Sequence, residues 1–222
     1  MKKKTVIIVS GGIDSTTLAY YLKDKGHDLY VLSFNYGQKQ VKEILIAEKI
    51  AKKLSIPFQL VNIQKIGGLL KSSLTDKKEK IPKGHYAKES MKSTVVPNRN
   101  MIMLSIAAGY ARSIKANYLA YAAHGGDHLI YPDCRPGFVR ALRMALAESF
   151  GYQKPWPELI APFVSFDKTD IIRMGYMLGV PFELTYSCYK GLDKHCGVCS
   201  TCIERKEAFK KANVSDPTKY ER

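Results

Sequence analysis

Apolar and polar positions along the chain follow two alternating periods. Residues 4–9 (Lys-Thr-Val-Ile-Ile-Val) form a short apolar run rich in β-branched side chains, which predicts a buried strand. Residues 14–25 switch to helical spacing, with Leu18, Tyr21 and Leu22 on one face. A second strand is predicted over 28–34, ended by Asn35-Tyr36-Gly37. An amphipathic helix follows over 38–54, with Val41, Ile44, Leu45, Ala47, Ile50, Ala51 and Leu54 at three- and four-residue steps. Pro57 opens a third strand that runs to Ile63.

Residues 64–97 break the rhythm. Rich in Lys, Ser, Gly and Pro, they predict a long excursion with a short helix, either a cover over a site or an oligomer contact. The alternation then resumes: helix 98–115, strand 117–123, polar loop 124–134, and helix 135–151 with Pro136 in its first turn. Strand 158–163 precedes helix 167–178, which has Asp167 as N-cap and Gly179 as its stop. Five strands alternating with helices predict an α/β fold with a doubly wound, mainly parallel five-stranded sheet. Ligands of such sheets bind at the carboxyl ends of the strands, so the loops after Val9, Phe34, Ala123 and Phe163 are expected to converge. Residues 1–180 read as the α/β domain and 181–222 as a C-terminal segment different in kind.

The loop after the first strand carries the sharpest chemistry. Ser10-Gly11-Gly12-Ile13-Asp14-Ser15-Thr16-Thr17 lacks the lysine of one phosphate-binding fingerprint and the glycine spacing of the other. An anion site is still implied. Gly11 and Gly12 let backbone N–H groups turn inward, the next helix points its positive end at the same spot, and Ser10, Ser15 and Thr16 add hydroxyl donors. The plainer alternative is a tight strand-to-helix turn with an Asp/Ser cap.

Five cysteines occur, Cys134 alone and Cys188, Cys196, Cys199 and Cys202 in the pattern C-x7-C-x2-C-x2-C. Such density in a chain expected to be cytoplasmic argues for metal over disulfides. Four thiolates suit a closed tetrahedral zinc site that staples the C-terminal segment, with an iron–sulfur cluster as the rival. His195 is a spare ligand candidate. Cys134 has no evident partner base and reads as a packed or substrate-lining thiol. His124 and His128 read as polar lining.

Charge and composition adjust this picture little. The 222 residues carry a formal net charge of +15, which invites a nucleic-acid reading. The lysines are scattered and no aromatics interleave with them, so a solvated surface with a pocket for an anionic ligand is preferred, and no direct nucleic-acid partner is expected. No apolar run is long enough to span a bilayer, and the basic start lacks the apolar stretch of a signal peptide. No membrane partner and a cytoplasmic location are expected.

Ser-Gly-Gly-x-Asp-Ser over residues 10–15 resembles the signature of the PP-loop ATP pyrophosphatase superfamily. That resemblance implies an adenine nucleotide alpha hydrolase-like fold and a loop that grips the β- and γ-phosphates of ATP as a leaving pyrophosphate. The α-phosphorus is left open to attack, which accounts for the missing lysine. It implies ATP contacts from Val9, Ser10, Gly11, Gly12, Ile13, Asp14, Ser15, Thr16, Thr17, Leu18 and Ala19, with Mg²⁺ on the triphosphate organised by Asp14.

Further segments narrow the branch: Phe34-Asn35-Tyr36-Gly37-Gln38, Val96-Pro97-Asn98-Arg99-Asn100, Tyr131-Pro132-Asp133-Cys134-Arg135, Lys168-Thr169-Asp170 and Cys188-Tyr189-Lys190-Gly191 leading into the cysteine knuckle. In this order they resemble the 7-cyano-7-deazaguanine synthase family of the queuosine and archaeosine pathways. Asn98 departs from the small or aromatic residue that family leads one to expect. The resemblance implies an ATP-dependent carbon–nitrogen ligase acting on 7-carboxy-7-deazaguanine and ammonia through adenylated acid and amide intermediates, with free ammonia and a homodimer. Asp14, Ser15 and Lys168 are the catalytic candidates. Asp127, Tyr131, Asp133 and Arg135 are candidates to read the base, and Arg99 to hold a carboxylate or phosphate. The zinc ligands would be Cys188, Cys196, Cys199 and Cys202. The rivals are a PP-loop enzyme that thiolates tRNA and a zinc-stapled nucleic-acid-binding module.

Overall fold

Successive side chains of the first strand point to opposite faces and enter two different cores. Val6 joins Leu32 and Leu119 in one, whereas Ile7 joins Val31 and Ala120 in the other. Both faces of the strand are therefore covered, as the unbroken apolar run requires. The computed structural model describes residues 2–76, 78–81, 89–152, 154 and 156–221. Its strands are β1 (Lys4–Ile8), β2 (Asp28–Asn35), β3 (Phe58–Asn62), β4 (Tyr118–Ala120) and β5 (Glu158–Ile160). They form one parallel sheet in the order β3-β2-β1-β4-β5.

The helices are α1 (Ile13–Asp24), α2 (Lys42–Lys53), the short α3 (Gln64–Gly67), α4 (Arg99–Ser113), α5 (Pro136–Ser149), α6 (Lys168–Met177) and α7 (Ser200–Ala212). Leu104 and Ala107 of α4 and Leu142 and Leu146 of α5 cover one face. Leu18 of α1, Ala47 of α2, Ile171 of α6 and Phe209 of α7 cover the other. The strand order reverses between β2 and β4 on either side of β1, which opens a crevice beyond the end of β1. Among the described residues, no helix is long and apolar enough to cross a membrane.

Local chemistry moved several boundaries. α2 starts at Lys42, four residues after the start its periodicity predicts. The Gln38 side chain folds back instead, accepting from the Tyr36 N–H at 3.0 Å and donating to the Phe34 carbonyl at 3.1 Å. On α2, Leu45 is exposed and Ile46 buried, the reverse of the predicted stripe. Asn98 caps α4 with a φ of +56°, a left-handed conformation that asparagine tolerates. Asp167 and Asp170 form a reciprocal capping box at the start of α6.

The described parts of the excursion are tied to the core. Leu74 and Met91 are each 1% exposed, and the Ser73 N–H donates to the Ser93 carbonyl at 2.8 Å. The rest of it, residues 77 and 82–88, lies outside the described residues. The C-terminal segment shares the main core through Phe182 and Phe209, whose rings meet edge to face at 5.1 Å.

Candidate active site

β1 ends where the Val9 N–H donates to the Leu32 carbonyl at 2.9 Å, and the chain then turns sharply into α1. Gly11 has a φ of +89°, and a Cβ there would collide with the Glu43 carbonyl, so only glycine lets the loop lie this close to α2. The Ser10 hydroxyl lies 3.1 Å from that of Ser15, which also accepts the Ser10 N–H at 3.1 Å. The Gly11 carbonyl accepts the Tyr186 N–H at 3.0 Å, so the C-terminal segment holds the loop from behind. First-turn N–H groups of α1 have no partners within the helix, and they face the crevice with the positive end of the helix dipole.

Asp14 opens a half-buried charge cluster. Its Oδ2 accepts from Lys168 Nζ at 2.7 Å, and Lys168 also lies 3.6 Å from Glu204 Oε2. His124 Nδ1 accepts the Gly126 N–H at 3.1 Å, which assigns the ring proton to Nε2. That nitrogen lies 3.4 Å from Asp127 Oδ2 and 3.7 Å from Asp14 Oδ2. Burial would raise the Asp14 carboxyl, but Lys168 and His124 outweigh it and hold it below its ordinary value. Burial also opposes the charge of Lys168, yet the carboxylates of Asp14, Glu204 and Asp127 hold its pKa well above the usual lysine value. Asp14 Oδ1 is buried with no partner among the described residues.

This cluster lines a cavity of ≈ 240 Å³. The rest of the lining includes aromatic and polar side chains. Tyr131 joins the hydroxyls of Thr94 at 2.9 Å and Tyr189 at 3.2 Å, and Arg99 donates to the Tyr36 hydroxyl at 3.4 Å. Glu43 of α2 also lines it, and burial pushes its carboxyl up to about 8 against the pull of Arg99.

The structure brings Val9, Ser10, Gly12, Ile13, Asp14, Ser15, Arg99, Asp127, Tyr131 and Lys168 to this one cavity. Gly11 shapes the loop behind it. Thr16, Thr17, Leu18 and Ala19 do not reach it: each is 0% exposed, because the second turn of α1 faces the core rather than the crevice. Asp133 instead accepts the Asn100 N–H at 3.0 Å and holds the start of α4. Arg135 is exposed and donates to the His128 carbonyl at 2.8 Å.

Sequence reasoning assigned no role to Glu43 or Glu204 and took His124 for plain lining. Tyr36 sits in a segment singled out for the resemblance, but Glu43 and Glu204 stand among charged helix residues that look solvated. Cys134 lines the cavity, and burial together with Asp127 and Asp133 pushes its thiol up, the opposite of an activated nucleophile.

The Sγ atoms of Cys188, Cys196, Cys199 and Cys202 lie within 4.8 Å of one another, and all four residues are buried. The Cys196 N–H points at Cys188 Sγ (3.4 Å) and the Cys199 N–H at Cys196 Sγ (3.3 Å), as suits thiolates. Hydrogen bonds from the Cys188 and Cys202 thiols hold Cys199 well below the usual thiol value. This donor set can hold a metal ion. Arg205 packs beside it, 1% exposed, donating to Thr185 Oγ1 at 2.9 Å, the Phe182 carbonyl at 3.0 Å and Asp216 Oδ1 at 3.2 Å.

Known proteins share both the sequence and the fold. Residues 4–213 match the family model described as queuosine biosynthesis protein QueC. A protein of Methanoregula boonei named 7-cyano-7-deazaguanine synthase is 50% identical over 220 residues, covering 98% of this chain and 99% of its own. Proteins of the same name from Caldicellulosiruptor bescii and Brucella ovis are also 50% identical, covering 98% of this chain and 97% and 94% of their own. Among solved structures, a 4-thiouridine synthetase in an RNA complex with bound ATP superposes with TM-score 0.53 at 18% identity, over 95% of this chain and 50% of that one. The U34-tRNA thiolase NcsA of Methanococcus maripaludis gives 0.52 at 18% identity, over 95% and 68%. These two share the fold alone. The full-length match to relatives of one name settles the family, and the chain belongs to the QueC family of queuosine biosynthesis proteins.

Proposed function

We propose that the chain is an ATP-dependent ligase that converts 7-carboxy-7-deazaguanine and ammonia to 7-cyano-7-deazaguanine, the product named in its relatives. The observation that carries this reading is a cavity shared by a lysine-free anion loop and a set of aromatic and hydrogen-bonding side chains. A carboxylate oxygen of the acid attacks the α-phosphorus of ATP and pyrophosphate leaves. Ammonia attacks the acyl carbon, displaces AMP and loses a proton, giving the amide. The amide oxygen then attacks the α-phosphorus of a second ATP, and a second pyrophosphate leaves. Loss of AMP and the remaining amide protons leaves the nitrile.

The residues divide this work by charge. Ser10, Ser15 and the first-turn N–H groups of α1 receive the leaving pyrophosphate. Lys168 offsets charge developing on the α-phosphate, and Asp14 keeps the ammonium aimed and charged. Mg²⁺ would accompany the triphosphate, and the unpartnered Asp14 Oδ1 is the free carboxylate oxygen near the loop. Arg99 lines the same cavity and can meet an anionic group there.

Zinc fits the cysteines. Tetrahedral Zn–S bonds put sulfurs about 3.8 Å apart, and Cys188 and Cys199 Sγ lie 4.0 Å apart. A four-iron cluster holds its cysteines further from one another. The ion closes its own shell and staples the C-terminal segment. Ammonia arrives free, the protein works as a cytoplasmic homodimer, and it needs no direct nucleic-acid contact.

The test is incubation with ATP, Mg²⁺, ammonium and 7-carboxy-7-deazaguanine, followed by mass spectrometry. Nitrile, AMP and pyrophosphate are expected; no nitrile from folded, metal-loaded protein rejects the reading. Iron and sulfide after anaerobic purification reject zinc.

A further inference from the structure

Of the residues on the loop after β4 expected to read the base, Asp127 and Tyr131 line the cavity, whereas Asp133 and Arg135 lie off it. A second polar corner lines the same cavity. Glu43, in the first turn of α2, and Gln40 both line the cavity, and the Glu43 N–H donates to the Gln40 carbonyl at 3.0 Å. The two side chains thus rise from one turn of chain. Gln40 is 3% exposed, and its buried Oε1 has no hydrogen-bond partner among the described residues.

Glu43 forms no ion pair with any described residue, although Arg99 is close enough to act on its charge. Arg99 spends its guanidinium on the Tyr36 hydroxyl at 3.4 Å. An acidic and a basic side chain that line one cavity without pairing leave room for a ligand to meet both. A buried acceptor without a donor costs on the order of 1–3 kcal/mol, so an orphan at a cavity wall is a place for a ligand's N–H.

We propose that Glu43 and Gln40 set substrate specificity by accepting hydrogen bonds from the adjacent ring N–H and exocyclic NH₂ of a 2-amino-6-oxo base, the edge that 7-carboxy-7-deazaguanine presents away from its carboxyl group. The assignment rests on the proposed function. Two neighbouring acceptors match a donor–donor edge. The adenine of ATP offers one donor and one acceptor there, so it is the poorer fit. The groups that face Glu43 are Arg99 from α4, Tyr36 from the loop after β2 and Tyr186 from the C-terminal segment. Burial keeps the Glu43 carboxyl reluctant to ionise while the site is empty, and a donor edge restores the carboxylate's partners.

The test compares 7-carboxy-7-deazaguanine with its analogue lacking the 2-amino group, in wild type and in Glu43→Gln. A site built to bond an NH₂ rejects the analogue, by roughly 100-fold or more in kcat/KM for wild type. Glu43→Gln is expected to raise KM for the parent acid about 10- to 100-fold, to shrink the discrimination to a few-fold, and to leave KM for ATP unchanged. The unchanged ATP response also shows that the variant folds. Gln40→Met, of similar volume, is expected to raise the same KM about 5- to 10-fold.

Unaltered discrimination in Glu43→Gln overturns the proposal. So does a rise in KM for ATP with that for the acid unchanged, because Glu43 would then read adenine. Wild-type protein that makes no nitrile from the parent acid overturns the functional reading first, and this assignment with it.

Discussion

Two polar clusters lie side by side near the carboxyl edge of the sheet, and they differ in what they leave unpaired. Around the cysteines the charged groups are paired: Arg205 donates to Thr185, Phe182 and Asp216, and Asp216 also accepts from Tyr220 at 2.6 Å, while the hydroxyls left without partners among the described residues are neutral, those of Ser200 and Thr218. In the cavity, Asp14 Oδ1 and Gln40 Oε1 have no partners among the described residues, and Glu43 and Arg99 do not meet. Burying an unpaired polar group is expensive. A cluster whose charges are paired internally serves the fold, and one that leaves a carboxylate oxygen and an amide oxygen unpaired is reserved for something that arrives.

The comparison breaks hardest at the cysteines. Removing the metal with a chelator, or making Cys202→Ser, should abolish metal binding and drop the melting temperature by at least about 10 °C, with activity lost in parallel. Activity that survives with an unchanged melting temperature would remove the stapling role. At the cavity the two quantities should part. Asp14→Asn should lower kcat/KM for nitrile formation by roughly 1,000-fold, with a fall in melting temperature smaller than that at the cysteines, because only the ion pair with Lys168 is lost. Wild-type turnover in that variant would take Asp14 out of the mechanism. Lys168→Met should cost about 100-fold, mostly in kcat, because its charge matters most as the α-phosphate gains charge.

A subtler contrast is in pH. Asp14 is held below its ordinary value of 3.8 and Lys168 above its ordinary 10.5. The Asp14 contribution to stability is present above its unfolded pKa and lost as pH falls through the lowered folded one. The Lys168 contribution is present below its unfolded pKa and lost as pH rises through the raised folded one. The pair therefore stabilises the fold across the whole neutral range. Glu43 has the other sign: its carboxyl rises from 4.5 to about 8, so the folded state holds the extra proton and stability falls as pH climbs through that window. Melting curves of Glu43→Gln should thus gain on wild type between pH 5 and 8 and run parallel to it at pH 9. A constant offset at every pH would deny Glu43 that burden.

The smallest effect belongs to the packing that carries both clusters. A Cβ on Gly175 would sit 2.6 Å from the Phe182 ring and 2.9 Å from Thr17 Oγ1. Gly175→Ala should cost about 1–3 kcal/mol in denaturant unfolding, with the metal retained.

Much of this was legible along the chain because it is local. Apolar period places all five strands, and the Asp167 cap and Gly179 stop of α6 follow from short-range hydrogen bonding and backbone freedom. Signals that depend on a neighbour's position were not. The start of α2 moved because Gln38 turned back on Phe34 and Tyr36, a choice that helical period does not register. Leu18 and Ala19 belong to a loop-to-helix motif, yet their direction is set by the helix turn, which sends them to the core. Glu43 and Glu204 look like ordinary surface charges until α2 and α7 are packed against the loop.

By itself the sequence determined the order of strands and helices, the lysine-free phosphate loop and the four metal-ready cysteines, since each is written within a few consecutive residues. Only the tertiary structure decided which side chains share the cavity. Asp14, Glu43, Arg99, His124, Lys168 and Glu204 come from separate stretches of chain and meet there. They do so because the strand order β3-β2-β1-β4-β5 gathers their loops at one edge and the C-terminal segment closes over the Gly11 carbonyl.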